Sequence, residues 1–174
     1  YERAMIGIGR TFQISSVFLD ITVLENIQLA ALGTHPRKWT WWKRPDEISG
    51  LNDLCMKVLD EVALLDRIER KVSFLSYGER RQLELALALV SRPKLLLLDE
   101  PCAGLSPAER QRLFSLIKAL PRTITMVMIE HDMDVALGLA DRVTVLHRGR
   151  TIVEGSADQI KEDPQVREVY FGEV

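Results

Sequence analysis

The sequence predicts an α/β fold: a mostly parallel sheet with flanking helices, plus a helical subdomain. Three observations point to it. Lys94-Leu95-Leu96-Leu97-Leu98-Asp99-Glu100-Pro101 is a leucine run that ends in two adjacent carboxylates. Parallel strands covered on both faces are apolar throughout, and sites in open α/β sheets form where such strands end. Residues 123–129 form a second apolar run, rich in β-branched residues, that ends in Glu130-His131-Asp132 and reads as another central parallel strand. Around these runs lie segments with helical periodicity and helix-capping signals.

Taken in order, Ile6-Gly7-Ile8-Gly9-Arg10-Thr11-Phe12-Gln13 reads as a short strand closing on a polar glutamine. Thr22-Val23-Leu24-Glu25 has capping-box spacing and starts a helix running to about Leu32. Residues 33–50 read as a linker with Pro36, Pro45, Trp39, Trp41 and Trp42. Those tryptophans pack onto neighbouring helices or form an aromatic patch for a partner protein. Leu51, Leu54, Cys55, Val58, Val62 and Leu65 recur at helical spacing, and residues 66–71 are a charged, solvated connection.

Leu75-Ser76-Tyr77-Gly78-Glu79 again has capping-box spacing and opens a helix to about Val90, which Arg92-Pro93 ends. Residues 101–105 form a turn. Ser106-Pro107-Ala108-Glu109 starts a helix with Ser as N-cap, Pro at the first position, Glu as the returning cap, and Leu113, Leu116, Ile117 and Leu120 as its buried stripe. Residues 143–146 and 151–153 flank Arg148-Gly149-Arg150 as a hairpin, and residues 156–174 form short helices broken at Pro164.

With 174 residues, 47% hydrophobic and 28% charged, the chain reads as one globular domain with a real core. A net charge of −2 argues against bulk electrostatic binding to nucleic acid or anionic membrane. No apolar run approaches a membrane span. Cys55 and Cys102 have no metal-type spacing and suggest no disulfide framework, which fits a reducing cytosol.

The chemistry concentrates at three places. Two acids after a core strand need a reason, because carboxylates are costly to bury unpaired. A metal held near Asp99, with Glu100 polarising a water, is one reason; a strand ending in solvated acids is the plain alternative. The helix start at Ser76 presents free N–H groups and a partial positive charge, and Gly78 permits close backbone approach, which suits a phosphate or an ordinary cap. His131 stands at a strand end that opens onto the same sheet edge as Asp99 and Glu100.

Together, Phe12-Gln13, Leu75-Ser76-Tyr77-Gly78-Glu79, the 95–100 run and Ile129-Glu130-His131-Asp132 resemble, in order, the Q-loop, signature, Walker B and switch-histidine motifs of ATP-binding-cassette ATPases. The resemblance covers essentially the whole chain. Within that family, Arg10-Thr11-Phe12-Gln13, Thr22-Val23-Leu24-Glu25-Asn26, Ile129-Glu130-His131-Asp132-Met133, Asp163-Pro164 and Tyr170-Phe171-Gly172-Glu173 look like the ATP-binding subunits of branched-chain amino acid importers.

The resemblance implies a dimeric ATPase, homodimer or heterodimer, that sandwiches ATP and drives two transmembrane permease subunits. It also implies an indirect link to a solute-binding protein and a peripheral place on the cytoplasmic face of the inner membrane. Ser76, Gly78 and Glu79 of one copy would meet the γ-phosphate of ATP held by the other. Gln13 would sense Mg²⁺ and water, Asp99 would hold the metal shell, Glu100 would be the general base and His131 would contact the γ-phosphate. Ala103, Gly104 and the turn to Ser106 would link the two sites. Residues 1–13 would end the first part of the catalytic core. Residues 14–89 would be the helical subdomain, 90–155 the rest of the core and 156–174 a helical tail. Permease contact would fall on residues 17–25, just after Gln13.

Glu79 stands where many members have Gln, and Ser106 where many have Asp. No Gly-x-x-x-x-Gly-Lys-Ser/Thr occurs anywhere. The chain is therefore expected to be the C-terminal portion of a larger ATPase domain and inactive alone, with apolar sheet edges exposed. Two alternatives remain: a non-transport ATPase of the superfamily, in DNA repair or translation, and a truncated non-catalytic interaction module. No sustained heptads lie between Gln13 and Leu75, against the coiled-coil insertion of a repair ATPase. The solute is open among branched-chain or other hydrophobic amino acids, urea, amides and other small molecules.

Overall fold

A computed structural model describes residues 6–11, 17–34 and 48–168. Gln13, the tryptophans 39, 41 and 42, and the ending around Tyr170 lie outside the described residues. The chain divides into two compact units, Tyr1–Ile129 and Glu130–Val174.

The first unit is built on a parallel sheet of β1 (Ile8–Arg10), β2 (Leu95–Asp99) and β3 (Thr125–Ile129), with β2 in the middle. Leu97 pairs with Arg10 on one side and Val127 on the other, and Asp99 pairs with Ile129. The leucine run is thus a central parallel strand, as its composition predicts. It is not buried on both faces: Leu96 and Leu98 are fully buried, whereas Leu95, Leu97 and Asp99 are half-buried. Residues 123–129, read as a second central strand, begin pairing at Thr125 and form an edge of this sheet, with Val127 and Ile129 exposed. The register explains both differences. Leu95, Leu97, Asp99, Thr125, Val127 and Ile129 share one face, which no described element of this unit covers.

The other face is covered by helices. Leu98 meets Leu85 of α3 (Tyr77–Leu89) and Leu113 and Ile117 of α4 (Pro107–Lys118) around a small cavity. Burying those branched side chains supplies roughly 1.5–3 kcal/mol each. Gly9 is required by the close approach of β1: a Cβ there would lie 3.0 Å from Ala88 O and 3.1 Å from Pro93.

The helical part packs α1 (Val23–Thr34) and α2 (Leu51–Glu61) against α3. The capping box at Thr22 forms as its spacing predicts, with Thr22 N–H donating to Glu25 Oε2 at 2.7 Å and Glu25 N–H to Thr22 Oγ1 at 3.1 Å. Asn26, 2% exposed, accepts from Phe18 N–H and donates to the Phe18 and Thr22 carbonyls, so a buried amide fixes the approach to α1. The helix expected over 51–65 stops at Glu61, because Ala63 takes φ 55° and the chain re-forms as a single 3₁₀ turn, Leu65–Arg67. Gln82 Nε2 donates to Val62 O at 2.7 Å and joins α3 to the end of α2.

In the second unit, α5 (Met133–Leu139) follows Asp132, an element the sequence reading left out. The expected hairpin is β4 (Val143–His147) with β5 (Arg150–Gly155), and Arg148 and Gly149 both take positive φ, as a two-residue turn matching strand twist requires. α6 (Ala157–Glu162) and α7 (Pro164–Val166) follow, separated at Asp163 and Pro164 as expected. Leu137, Val145, Ile160 and Val166 form this unit's core. No helix among the described residues is long and apolar enough to cross a membrane.

Candidate functional site

β2 delivers Asp99 to the sheet edge, and the chain turns at Glu100, whose φ of 44° lies in the left-handed region. That conformation costs a non-glycine residue on the order of 1–2 kcal/mol and persists where the surroundings enforce it. Here Glu100 N–H donates to Ile129 O at 2.9 Å and Glu100 O accepts from Ala103 N–H at 3.1 Å. The strained residue is one of the two acids the sequence singles out. Asp99 shares the uncovered face with Arg10, whose Nη2 lies 3.8 Å from Asp99 Oδ2. With side chains 48% and 27% exposed, that ion pair contributes little to stability.

Ser76 caps α3: its Oγ accepts from Glu79 N–H at 3.1 Å, and Glu79 Oε2 accepts from Ser76 N–H at 2.8 Å. Glu79 Oε1 also accepts from Arg67 Nε at 2.8 Å. Burial pushes the Glu79 carboxyl up, but the Ser76 N–H and the Arg67 guanidinium together hold it below its ordinary value.

Two contacts tie the start of α3 to the turn after the acids. Tyr77 Oη donates to Ala103 O at 3.3 Å and accepts from Arg81 Nε and Nη2 at 3.1 and 2.7 Å. Arg81 in turn pairs with Glu84 at 2.9 Å, both side chains at least nine-tenths buried. Gly104, at φ 73°, lies against the Tyr77 ring. The second contact is Glu109. Its Oε2 closes the α4 capping box on Ser106, accepting from the backbone N–H at 3.1 Å and the hydroxyl at 2.7 Å. Its Oε1 reaches the other helix, accepting from Gly78 N–H at 3.1 Å and facing Ser76 Oγ at 3.5 Å.

The structure thus connects Ser76, Gly78, Ala103, Gly104 and Glu100 through Tyr77, Glu109 and the turn's own backbone bonds. His131 is exposed and lies in the second unit, just before Asp132. Asp132 Oδ1 caps α5, accepting from Asp134 N–H and Val135 N–H at 3.1 and 3.2 Å. Gln13 is outside the described residues.

Tyr77, Arg81, Glu84 and the second half of Glu109's role were not legible as site residues. Capping spacing reveals a helix's own box, whereas Gly78 lies 31 residues from Glu109.

Among the described residues, no group of three or more His, Cys, Asp and Glu could hold a metal ion. Asp99 and Glu100 offer hard oxygen donors of the kind Mg²⁺ takes with one or two carboxylates and substrate phosphates completing its shell. Their partial exposure and the long contact from Arg10 to Asp99 fit such a role. The start of α3 carries a dipole suited to a phosphate, with its Gly78 N–H bonded to Glu109.

The profile of the family described as ABC transporter matches residues 2–103, and that of the branched-chain amino acid ATP-binding cassette transporters matches residues 150–174. The high-affinity branched-chain amino acid transport ATP-binding protein LivG of Escherichia coli K12 is 36% identical over 98% of this chain and 69% of its own. BraF of Pseudomonas aeruginosa, described in the same words, is 34% identical over 99% of this chain and 71% of its own. The lipopolysaccharide export system ATP-binding protein LptB of Acidithiobacillus ferridurans is 36% identical over 99% and 68%. Among solved structures, the ADP conformation of MJ1267, an ATP-binding cassette of an ABC transporter, aligns with a TM-score of 0.79 at 30% identity, over 99% of this chain and 71% of that one.

Proposed function

The chain belongs to the ATP-binding-cassette transporter ATPases, and from that premise we propose that it powers a membrane importer of branched-chain or other hydrophobic amino acids. Members of this family act as ATPase subunits alongside transmembrane permeases, so membrane association follows from assembly rather than from an apolar helix of the described part. The supporting observation is the end of β2, where Asp99 and a backbone-strained Glu100 are held at the sheet edge. The branched-chain match over residues 150–174 favours amino acids over the lipopolysaccharide named for LptB, whose overall identity is no lower than LivG's.

In this reading Glu100 is the general base, taking a proton from the attacking water, and Asp99 would hold Mg²⁺, which would supply charge neutralisation at the phosphates. Gln13 senses that water and His131 contacts the γ-phosphate. The helix start at Ser76, Gly78 and Glu79 receives a γ-phosphate held by a second ATP-binding subunit, identical or not. Ala103 and Gly104 carry the state of one site to the other. Positioning and charge stabilisation supply most of such a reaction's acceleration. Residues 14–89 serve as the helical subdomain, with 17–25 meeting two permease subunits on the cytoplasmic face of the inner membrane. Residues 1–13 and 90–155 serve as catalytic core and 156–174 as a tail. A solute-binding protein takes part only through the permeases. These 174 residues contain no phosphate-cradling lysine loop, and by themselves do not hydrolyse ATP.

Uptake of labelled leucine, isoleucine and valine by cells carrying Glu100→Gln tests the reading. Loss of uptake with the subunit still present at the membrane is expected; wild-type uptake would overturn it.

A further inference from the structure

The helix start proposed to receive a phosphate already carries an anion of this chain. Glu109 Oε1 sits 3.1 Å from Gly78 N and 3.5 Å from Ser76 Oγ, while Oε2 stays on Ser106. One carboxylate therefore serves two helix N-termini, where dipole and N–H donors both favour negative charge. Gly78 makes the approach possible, because a Cβ there would fall 2.5 Å from Oε1 and 2.7 Å from Cδ. The neighbouring acid, Glu79, is engaged elsewhere, with the Ser76 N–H and Arg67.

We propose that Glu109 is a positioning residue that holds the signature helix start in the phosphate-free state and must release Gly78 when a phosphate docks. This rests on the proposed role of α3 as the phosphate-receiving helix. A single N–H cannot serve two anions at full strength, and a phosphate beside a carboxylate suffers like-charge repulsion. Release needs no refolding. A shift of the Glu109 carboxylate away from Gly78 would give up Oε1's partners, and Ser106 offers the carboxylate its own capping bonds on α4. Phosphate arrival would thereby break this polar link between α3 and α4, while Tyr77 Oη still bonds Ala103 O of the turn.

Inorganic phosphate titrated into the isotope-labelled chain, followed by NMR at the Gly78 and Ser76 amides and the Glu109 carboxyl carbon, tests this. Glu109→Gln keeps a capping acceptor but removes the charge, and should bring half-saturation of Gly78 to at least about five-fold lower phosphate in a protein that stays folded. In the wild type, the Glu109 carboxyl signal should shift in step with Gly78. Equal phosphate dependence in the two proteins, no phosphate response in either, or an unmoved carboxyl signal would overturn the proposal. Amino acid uptake reads the proposed function separately, so either can fail without the other.

Discussion

Gly78 and Glu109, 31 residues apart in sequence, are joined by an N–H to carboxylate bond of 3.1 Å that links the first turns of α3 and α4. The same glycine is the one the sequence singles out for close backbone approach, and the structure supplies an internal partner for that approach. Gly78→Ala should displace the carboxylate, since the added methyl meets the end of a flexible side chain. Alanine's better helix propensity, worth up to about 1 kcal/mol, offsets part of the loss. The expected result is a folded protein in which the Glu109 carboxyl, held low mainly by its bonds to Ser106, moves up towards its ordinary value of 4.5 as the Gly78 bond goes. Carboxyl titration by NMR reads it.

Ser76→Ala removes the N-cap acceptor for Glu79 N–H. Such caps contribute about 1 kcal/mol, so the unfolding free energy should fall by that amount, seen as a lower denaturation midpoint with an unchanged denaturant slope.

Thr11 Oγ1 is buried with no hydrogen-bond partner among the described residues, beside the cavity lined by Arg81, Glu84 and Leu98. Thr11→Val replaces the hydroxyl by a methyl of similar shape and should raise stability by about 1 kcal/mol, measured by chemical denaturation.

Acid should loosen the α3 start. Glu79 and Glu109 are both held below their ordinary 4.5 in the fold. Carboxyls with lowered folded values contribute stability that is fully present above the unfolded value and lost as pH falls through the folded one. Melting temperatures should therefore be flat above about pH 5 and decline below it. Glu79→Gln and Glu109→Gln should each flatten the decline.

Much of the fold was legible because local rules and global packing agree. The leucine run, the capping boxes at Thr22, Ser76 and Ser106, and the hairpin at Arg148-Gly149 each follow from short-range chemistry. What escaped was non-local or strained. The half-open face of β2 depends on what packs beside it, Ala63's positive φ ended a helix whose apolar period continues, and α5 is a short helix with little periodicity to read. In the candidate site, Asp99, Glu100, Ser76 and Gly78 are singled out by residue type alone. Tyr77 and Glu109 did not, because their partners lie 26 and 31 residues away.

The central claim is that this chain contributes catalytic and phosphate-receiving groups to ATP hydrolysis. The most direct measurement is hydrolysis of Mg-ATP by the subunit carrying a phosphate-binding loop and assembled with its permeases, beside its Glu100→Gln variant. Loss of the proposed general base should slow turnover by roughly 10²–10⁴-fold while ATP binding persists. Turnover unchanged by Glu100→Gln would contradict the account.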